Sequence, residues 1–262
     1  MVKRIFLAAV FVISLAGTGF AAHPLITDDA GTQGKGRFLL EVNSEFGYDK
    51  ERAEEVTTKE TGVEVAGLLT YGLTENVDIV LGLPYQWTKT KEDGETVSDV
   101  DGVTDLSLEA KWRFYENDGF SFALKPGFTL PTGNERKGLG NGRPSYALTF
   151  ITTKEIEPWA IHLNLSYFHN EYRLREDKDA NRREIWHVSL AGELEVIENL
   201  KAVANIGVER NSDKESNRHP AFILGGIIYS ISENVDIDFG LKKALNKPET
   251  DYAILLGMAL RF

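Results

Sequence analysis

A histidine and a serine stand two residues apart in the stretch "IWHVSLAGELEV". His187 and Ser189 are the residue types that form a base and nucleophile pair, and some outer-membrane phospholipases place such a pair on one strand. Such an enzyme has to present both side chains to lipid. Here Trp186, Val188 and Leu190 take the apolar phase of the segment, which turns His187 and Ser189 the other way. The pattern favours a polar interior surface over catalysis, and we expect no enzyme activity.

Other chemistry-bearing residues are sparse. Asp99 and Asp101 in "SDVDG" could hold a cation, but their spacing fails the full calcium-loop pattern and a solvated loop is the favoured interpretation. His23 and His162 are single imidazoles without evident metal partners. The chain has no cysteine, which excludes disulfides and zinc-thiolate sites. We therefore expect no metal and no cofactor.

The formal charge of the 262-residue chain is -11, which argues against a basic footprint for nucleic acid. Hydrophobic residues make up 42% and charged residues 26%, a composition that excludes a disordered chain.

Alternation with a period of two predicts that the candidate residues lie on β-strands. In "DLSLEAKWRF", Leu108 and Trp112 face one way, while Glu109, Lys111 and Arg113 face the other. Twelve such segments follow one another up to the ending "DYAILLGMALRF"; only "AFILGGIIY" is ambiguous in phase. A dry core could not accept the charged faces unpaired, whereas the interior of a membrane barrel could. The candidate lumen-lining residues are Glu109, Lys111, Arg113, Lys125, His187, Ser189, Glu193, Asp236, Asp238 and Lys242.

Connections between the segments alternate between short and long. Brief turns such as "TEN" and "SEN" alternate with charged stretches such as "DKERAEEVTTKE" and "TKTKEDGETVSDVDG", which we interpret as loops. All four tryptophans lie near strand ends in the apolar phase, as in the aromatic girdles of membrane barrels. We therefore predict an all-β, transmembrane, up-and-down antiparallel barrel of about twelve strands. A secreted β-sandwich is the alternative.

The first residues have the pattern of a secretory signal. Lys3 and Arg4 precede an apolar run, and small residues near Ala21 permit cleavage, so we assign residues 1–21 to a signal peptide. Residues 22–36 would then form an N-terminal segment in the periplasm or in the lumen, and residues 37–262 would form the barrel. Periodicity cannot decide whether that segment, or an infolded loop, plugs the lumen.

Pro126 disagrees with this scheme, because it lies in the middle of the fifth segment, where it would remove a ladder hydrogen bond. Either a bulge occurs there or the segment boundary is wrong.

Three stretches resemble a known family of bacterial outer-membrane proteins, the MetA-pathway of phenol degradation family. They are "HPLITDDAGTQGKGRFLLEVN", "DGVTDLSLEAKWRF" and "PTGNERKGLGNGRPSYALTF", and the resemblance runs from about residue 23 to the carboxyl end. It implies an outer-membrane barrel, often labelled a transporter, and aromatic catabolism. It brings no set of functional residues to carry over.

The resemblance also implies a role for Phe262. Bacterial outer-membrane barrels end similarly on an amphipathic strand with a terminal aromatic residue that the barrel assembly machinery reads; alternatively, Phe262 is a girdle residue.

The leading functional hypothesis is an outer-membrane channel or transporter for small molecules, hydrophobic or aromatic ones among them. The second is a structural or adhesive barrel acting through its extracellular loops, and the third is a lipid-modifying enzyme. Expected partners are outer-membrane lipids and lipopolysaccharide, the assembly machinery and an unidentified small molecule.

Overall fold

The computed structural model describes residues 23–53 and 56–262, and within these ranges the chain forms thirteen antiparallel strands. The predicted signal peptide lies outside the described residues. The strands are β1 (Phe38–Ala53), β2 (Val56–Thr74), β3 (Val77–Glu92), β4 (Glu95–Val103), β5 (Leu106–Asn117), β6 (Phe120–Leu130), β7 (Ser145–Ile156), β8 (Trp159–His169), β9 (Glu184–Ile197), β10 (Leu200–Glu209), β11 (Ala221–Ser232), β12 (Val235–Ala244) and β13 (Tyr252–Arg261).

Twelve of these strands close into a barrel. β1 pairs with both β2 and β13, so that Leu40 lies opposite Leu69 on one side and Leu260 on the other. β3 pairs with β5 through residues 77–82 and with β4 through residues 85–92. β4 is therefore an extra strand in a hairpin beyond the closed ring, and the prediction of a barrel of about twelve strands is confirmed.

The two faces of the barrel wall are opposite in character. On β13, Leu256 is 44% exposed, whereas Ala253 and Leu255 of the same strand are 1% and 3% exposed. Charged side chains such as Glu109 and Lys111 are buried in the interior, while large apolar side chains cover the outside. A polar lumen inside an apolar band is the arrangement of a barrel that spans a membrane.

Aromatic side chains mark both edges of the outer band. Trp112 and Trp159 are exposed near the short turns, and Trp87 is exposed toward the other end. We call the end with the short turns the turn end; β1 begins and β13 finishes there. The opposite end is the loop end. Amphipathic rings at both edges fit the interfaces of a bilayer.

Two predicted loops are wrong, because the chain continues as strand beyond the apolar band. "DKERAEEVTTKE" extends β1 and β2, whose pairing reaches Ala53 and Val56, and "TKTKEDGETVSDVDG" forms the β3–β4 hairpin. No bilayer demands an apolar face there, so the strands carry charged residues. A short helix, α1 (Arg175–Ala180), and a 3-10 helix (Glu135–Lys137) lie in loop-end connections. Within the described ranges, no helix is long and apolar enough to cross a membrane.

Pro126 lies within β6 without a bulge. The β5–β6 pairs pass from Glu109–Gly127 to Trp112–Leu124 with the register unchanged, and Pro126 pairs with Leu148 of β7 on its other side. The register shift in this hairpin falls instead between Arg113 and Tyr115. The proline thus interrupts one ladder, as its missing N–H requires.

Candidate functional site

Residues 23–36, the N-terminal segment, run through the lumen toward the start of β1. The side chains of Thr27 and Asp28 and the whole of Ala30 are fully buried. Contacts of the segment reach inward-facing residues on strands from β3 to β12, among them Asp78, Lys125, Asn205 and Asp238. The segment therefore occupies the space through which a solute would have to pass.

An ionic cluster holds the middle of the segment. The Asp28 carboxylate accepts from Lys111 Nζ and Lys125 Nζ at 2.8 Å each, and Lys125 also pairs with Glu109 at 2.9 Å. Burial by itself raises the pKa of Asp28, but the two ammonium groups lower it by more, so the pKa lies below its ordinary value. The carboxylate thus stays charged and pairs with both lysines.

Side chains of the lumen satisfy the backbone of the segment. Asn205 Oδ1 accepts from the Ile26 N–H at 2.7 Å, and Thr153 Oγ1 accepts from the Ala30 N–H at 2.9 Å. The Asn164 amide, with its oxygen facing the Asp28 N–H, accepts from that N–H at 2.6 Å and donates to the Asp28 carbonyl at 2.8 Å. Because the segment forms no sheet of its own, these side chains replace ladder hydrogen bonds.

Leu25 binds the lumen wall through apolar contact. It is 4% exposed and packs in a cluster with buried side chains of β9, β10, β11 and β13. This cluster comprises Ala191, Val203, Phe222, Leu224, Ile228, Ala253 and Leu255, with Ile26 packed against it. It lies across the ring from β5 and β6.

A cavity of about 370 Å³ lies beside the segment toward the turn end. Glu41 and Asn43 of β1 line it and are 4% and 6% exposed, and Asn43 Nδ2 has no hydrogen-bond partner among the described residues. Other lining groups are already paired: His23 with Asp238 at 2.5 Å, and Arg261 with Asp236 at 2.6 Å. The cavity is thus a polar space that reaches part of the way along the lumen.

The structure brings four of the ten predicted lumen residues to this cavity: Lys111, Lys125, Asp236 and Asp238. Glu109 joins them through its ion pair with Lys125.

The other five lie elsewhere. Arg113 pairs with Glu116 at 3.2 Å near the turn end, Glu193 with Lys201 at 2.9 Å, and Lys242 with Glu45 at 2.7 Å. His187 and Ser189 are buried inside the barrel wall and are described next.

Among the described residues, His187 and Ser189 are not hydrogen-bonded to each other. His187 Nδ1 lies 3.4 Å from Glu209 Oε2, and within the described part of the chain the Ser189 hydroxyl has no hydrogen-bond partner. Asp99 and Asp101 lie on β4, where Asp99 pairs with Lys89 and Asp101 accepts from the Tyr85 hydroxyl.

Sequence reasoning named Lys111, Lys125 and Asp238 but missed other residues that hold the segment. Asn164 lies on β8 and Asn205 on β10, and both side chains point into the lumen. Both strands alternate between apolar and other residues, so a polar residue in the inward set was a usable signal. Asp28 carried no such signal, because it lies outside every strand and its lysine partners are 83 and 97 residues away.

At the loop end, residues 131–144 fold inward. The Asp105 carboxylate accepts from the Gly133 N–H at 3.0 Å and the Asn141 N–H at 2.9 Å, and it is fully buried. Burial raises the pKa of Asp105, an effect that these two donors reduce but do not cancel. A small cavity below Asn141 is lined by Ser107 and Glu109 of the lumen. This loop therefore narrows the lumen at the loop end, whereas the N-terminal segment joins β1 at the turn end.

Phe262 lies at the outer edge of the turn end. It is 64% exposed, stacks on Phe38 with ring centroids 5.5 Å apart, and its backbone pairs with that of Phe38. The terminal residue thus lies at the seam where the last strand meets the first.

An apolar outer band, a charged interior and a segment threaded through that interior define a transmembrane β-barrel with an occupied lumen. The chain belongs to the family described as "Putative MetA-pathway of phenol degradation", whose model matches residues 27–262. The resemblance inferred from the sequence is thereby confirmed. None of the curated proteins compared with the chain matches it.

Solved structures share the fold. The COG4313 outer membrane channel from Pseudomonas putida F1 is similar with a TM-score of 0.71 and 17% identity, covering 89% of this chain and 98% of that one. The NanC porin is similar with a TM-score of 0.54 and 8% identity, covering 84% of this chain and 98% of that one. The translocator domain of autotransporter NalP from Neisseria meningitidis has a TM-score of 0.53 and 12% identity, covering 87% of this chain and 89% of that one. At these identities the likeness establishes the fold alone.

Proposed function

We propose that the protein is a channel of the bacterial outer membrane for small apolar or aromatic molecules, and that the N-terminal segment closes it at rest. The observation that carries this proposal is the Asp28 cluster, because a segment fixed inside the lumen by charged groups has a closed state and, once released, an open one. The fold shared with an outer membrane channel and a porin supports the location and the class.

The solute class rests on the family description, which names phenol degradation.

We orient the barrel in the membrane by its connections: the short turns face the periplasm and the long loops face the outside. The charged hairpins at the loop end would then meet lipopolysaccharide. Phe262 would serve as the signal for the assembly machinery. The lipid-modifying alternative gains no support from His187 and Ser189, which face away from lipid.

Conductance in planar bilayers tests the proposal. In one variant, residues 25–33 are replaced by a Gly–Ser stretch of equal length, which removes the side chains that bind the lumen but keeps the chain connected. We expect this variant to conduct steadily and the unmodified protein to conduct rarely. Folding is checked by heat-modifiable migration on gels, since a closed barrel resists detergent. A folded spacer variant that does not conduct would contradict the channel and favour a barrel acting through its loops.

A further inference from the structure

One part of the lumen wall is apolar, although most of the interior is charged or polar. The inward side chains of Val203, Phe222, Leu224, Ile228 and Leu255 form a continuous surface, the apolar bed, and Leu25 lies on it. This explains why the phase of "AFILGGIIY" was ambiguous: Ile223 and Ile227 face lipid while Phe222, Leu224 and Ile228 face the bed.

A notch beside the bed receives the ring of Pro24. Gly226 of β11 lies opposite Gly240 of β12 in the sheet. A methyl group built on Gly240 would lie 2.7 Å from Pro24 Cβ, and one built on Gly226 would lie 2.8 Å from Pro24 Cγ and 2.5 Å from the backbone oxygen of Phe239. These distances are shorter than side chains tolerate. Gly240 is therefore required by the Pro24 ring, and Gly226 by the ring together with the neighbouring strand. We call the space that the ring fills the glycine notch.

The bed and the notch lose their cover when the segment leaves. A charged lumen needs no apolar surface to conduct, and apolar surface exposed to water is unfavourable. An enclosed apolar surface with a few polar groups around it is the common form of a small-molecule site. The notch fits a narrow ring, since it already holds the five-membered ring of Pro24.

We propose that the apolar bed and the glycine notch bind a compact apolar molecule that carries a flat ring, and that Pro24 and Leu25 are its internal competitors. Solute and segment then exclude each other from one surface, so solute binding shifts the lumen toward the open state. This inference rests on the proposed function, because it requires the segment to leave the lumen.

The absence of cysteine from the sequence allows a single reporter thiol. Ala30→Cys places the thiol where Ala30 is now fully buried against Ala123 and Ile151. In proteoliposomes, a charged maleimide labels this thiol when the segment is released. Toluene is the probe, and we expect the labelling rate to rise severalfold with its concentration and then to saturate.

Two backgrounds separate competition from a general loosening. Asp28→Asn weakens the ionic contact and leaves Pro24 and Leu25 in place. The labelling rate without toluene should therefore be higher than in the unmodified background, and toluene should still increase it. Pro24→Ala combined with Leu25→Ala should also raise the labelling rate without toluene. Toluene should then increase that rate only slightly, because the probe binds the closed and open states alike. Thr27→Cys serves as a second reporter if Ala30→Cys itself releases the segment.

A labelling rate that toluene leaves unchanged in the otherwise unmodified protein would overturn the inference. So would an equal response in the double variant, because toluene would then act on the bilayer or elsewhere on the barrel. Neither result touches the proposed function, which fails only if the folded spacer variant does not conduct.

Discussion

The lumen holds its N-terminal segment by an ionic contact on one side and by an apolar contact on the other. Asp28 is bound by Lys111 and Lys125 of β5 and β6, whereas Leu25 rests on the wall built mainly from β10, β11 and β13. Ionic hydrogen bonds are directional and demand a particular partner, while apolar contact is not directional. The ionic side therefore fixes where the segment lies, and the apolar side is the one that another molecule can replace.

The largest effect is expected from the ionic side. Asp28→Asn leaves Lys111 and Lys125 buried without their shared carboxylate, and breaking such a buried pair costs about 3 to 5 kcal/mol. We expect the open probability in planar bilayers to rise strongly. Asp29→Asn is the matched control, because the Asp29 carboxylate accepts from the nearby Gly31 N–H within the segment. Equal opening in both variants would mean that general negative charge, rather than the Asp28 contact, holds the segment.

A smaller effect is expected from the apolar side. Leu255→Ala should weaken the seating of the segment by about 2 to 3 kcal/mol, the lower part of the range for buried leucines, because water can enter the gap. Leu256→Ala on the same strand removes an equal side chain from the lipid face, where Leu256 is 44% exposed. Maleimide labelling of the Ala30→Cys reporter should therefore accelerate only with Leu255→Ala. The assignment of the two faces of β13 fails if Leu256→Ala has the larger effect.

The glycine notch offers a test by addition instead of removal. Gly240→Ala brings a methyl group against Pro24, while no backbone atom is among the nearest neighbours of that methyl. Overpacking of this kind costs about 1 to 3 kcal/mol, and we expect conductance to rise modestly. Gly225→Ala is the control, since nothing lies within 4 Å of a methyl group there. Unchanged conductance in the folded Gly240→Ala barrel would show that Pro24 can move without releasing the segment.

The same contrast explains what the sequence could predict. A strand such as "DLSLEAKWRF" has to serve lipid on one face and a polar lumen on the other, so its alternation alone indicates both faces and the barrel. β4 was missed because "ETVSDVDGV" lies beyond the bilayer, where neither face needs to be apolar. The contacts of the segment were beyond prediction, because Asp28 and Leu25 belong to no periodic element and meet partners from distant strands.

The smallest effect is expected from mild acid. Burial raises the pKa of Asp28, but Lys111 and Lys125 lower it by more, to below its ordinary value of 3.8. A carboxylate whose pKa is lowered in the bound state stabilises that state at every pH above the ordinary value, and this contribution disappears as the pH falls through the lowered pKa. The binding of the N-terminal segment in the lumen should therefore be equally strong down to about pH 5 and weaken only below about pH 4. Open probability measured from neutral to acidic pH checks this, with Asp28→Asn as the control. Glu109, which shares Lys125, is present in both proteins, so an acid response of equal size in the variant would assign the titration to other carboxylates of the lumen.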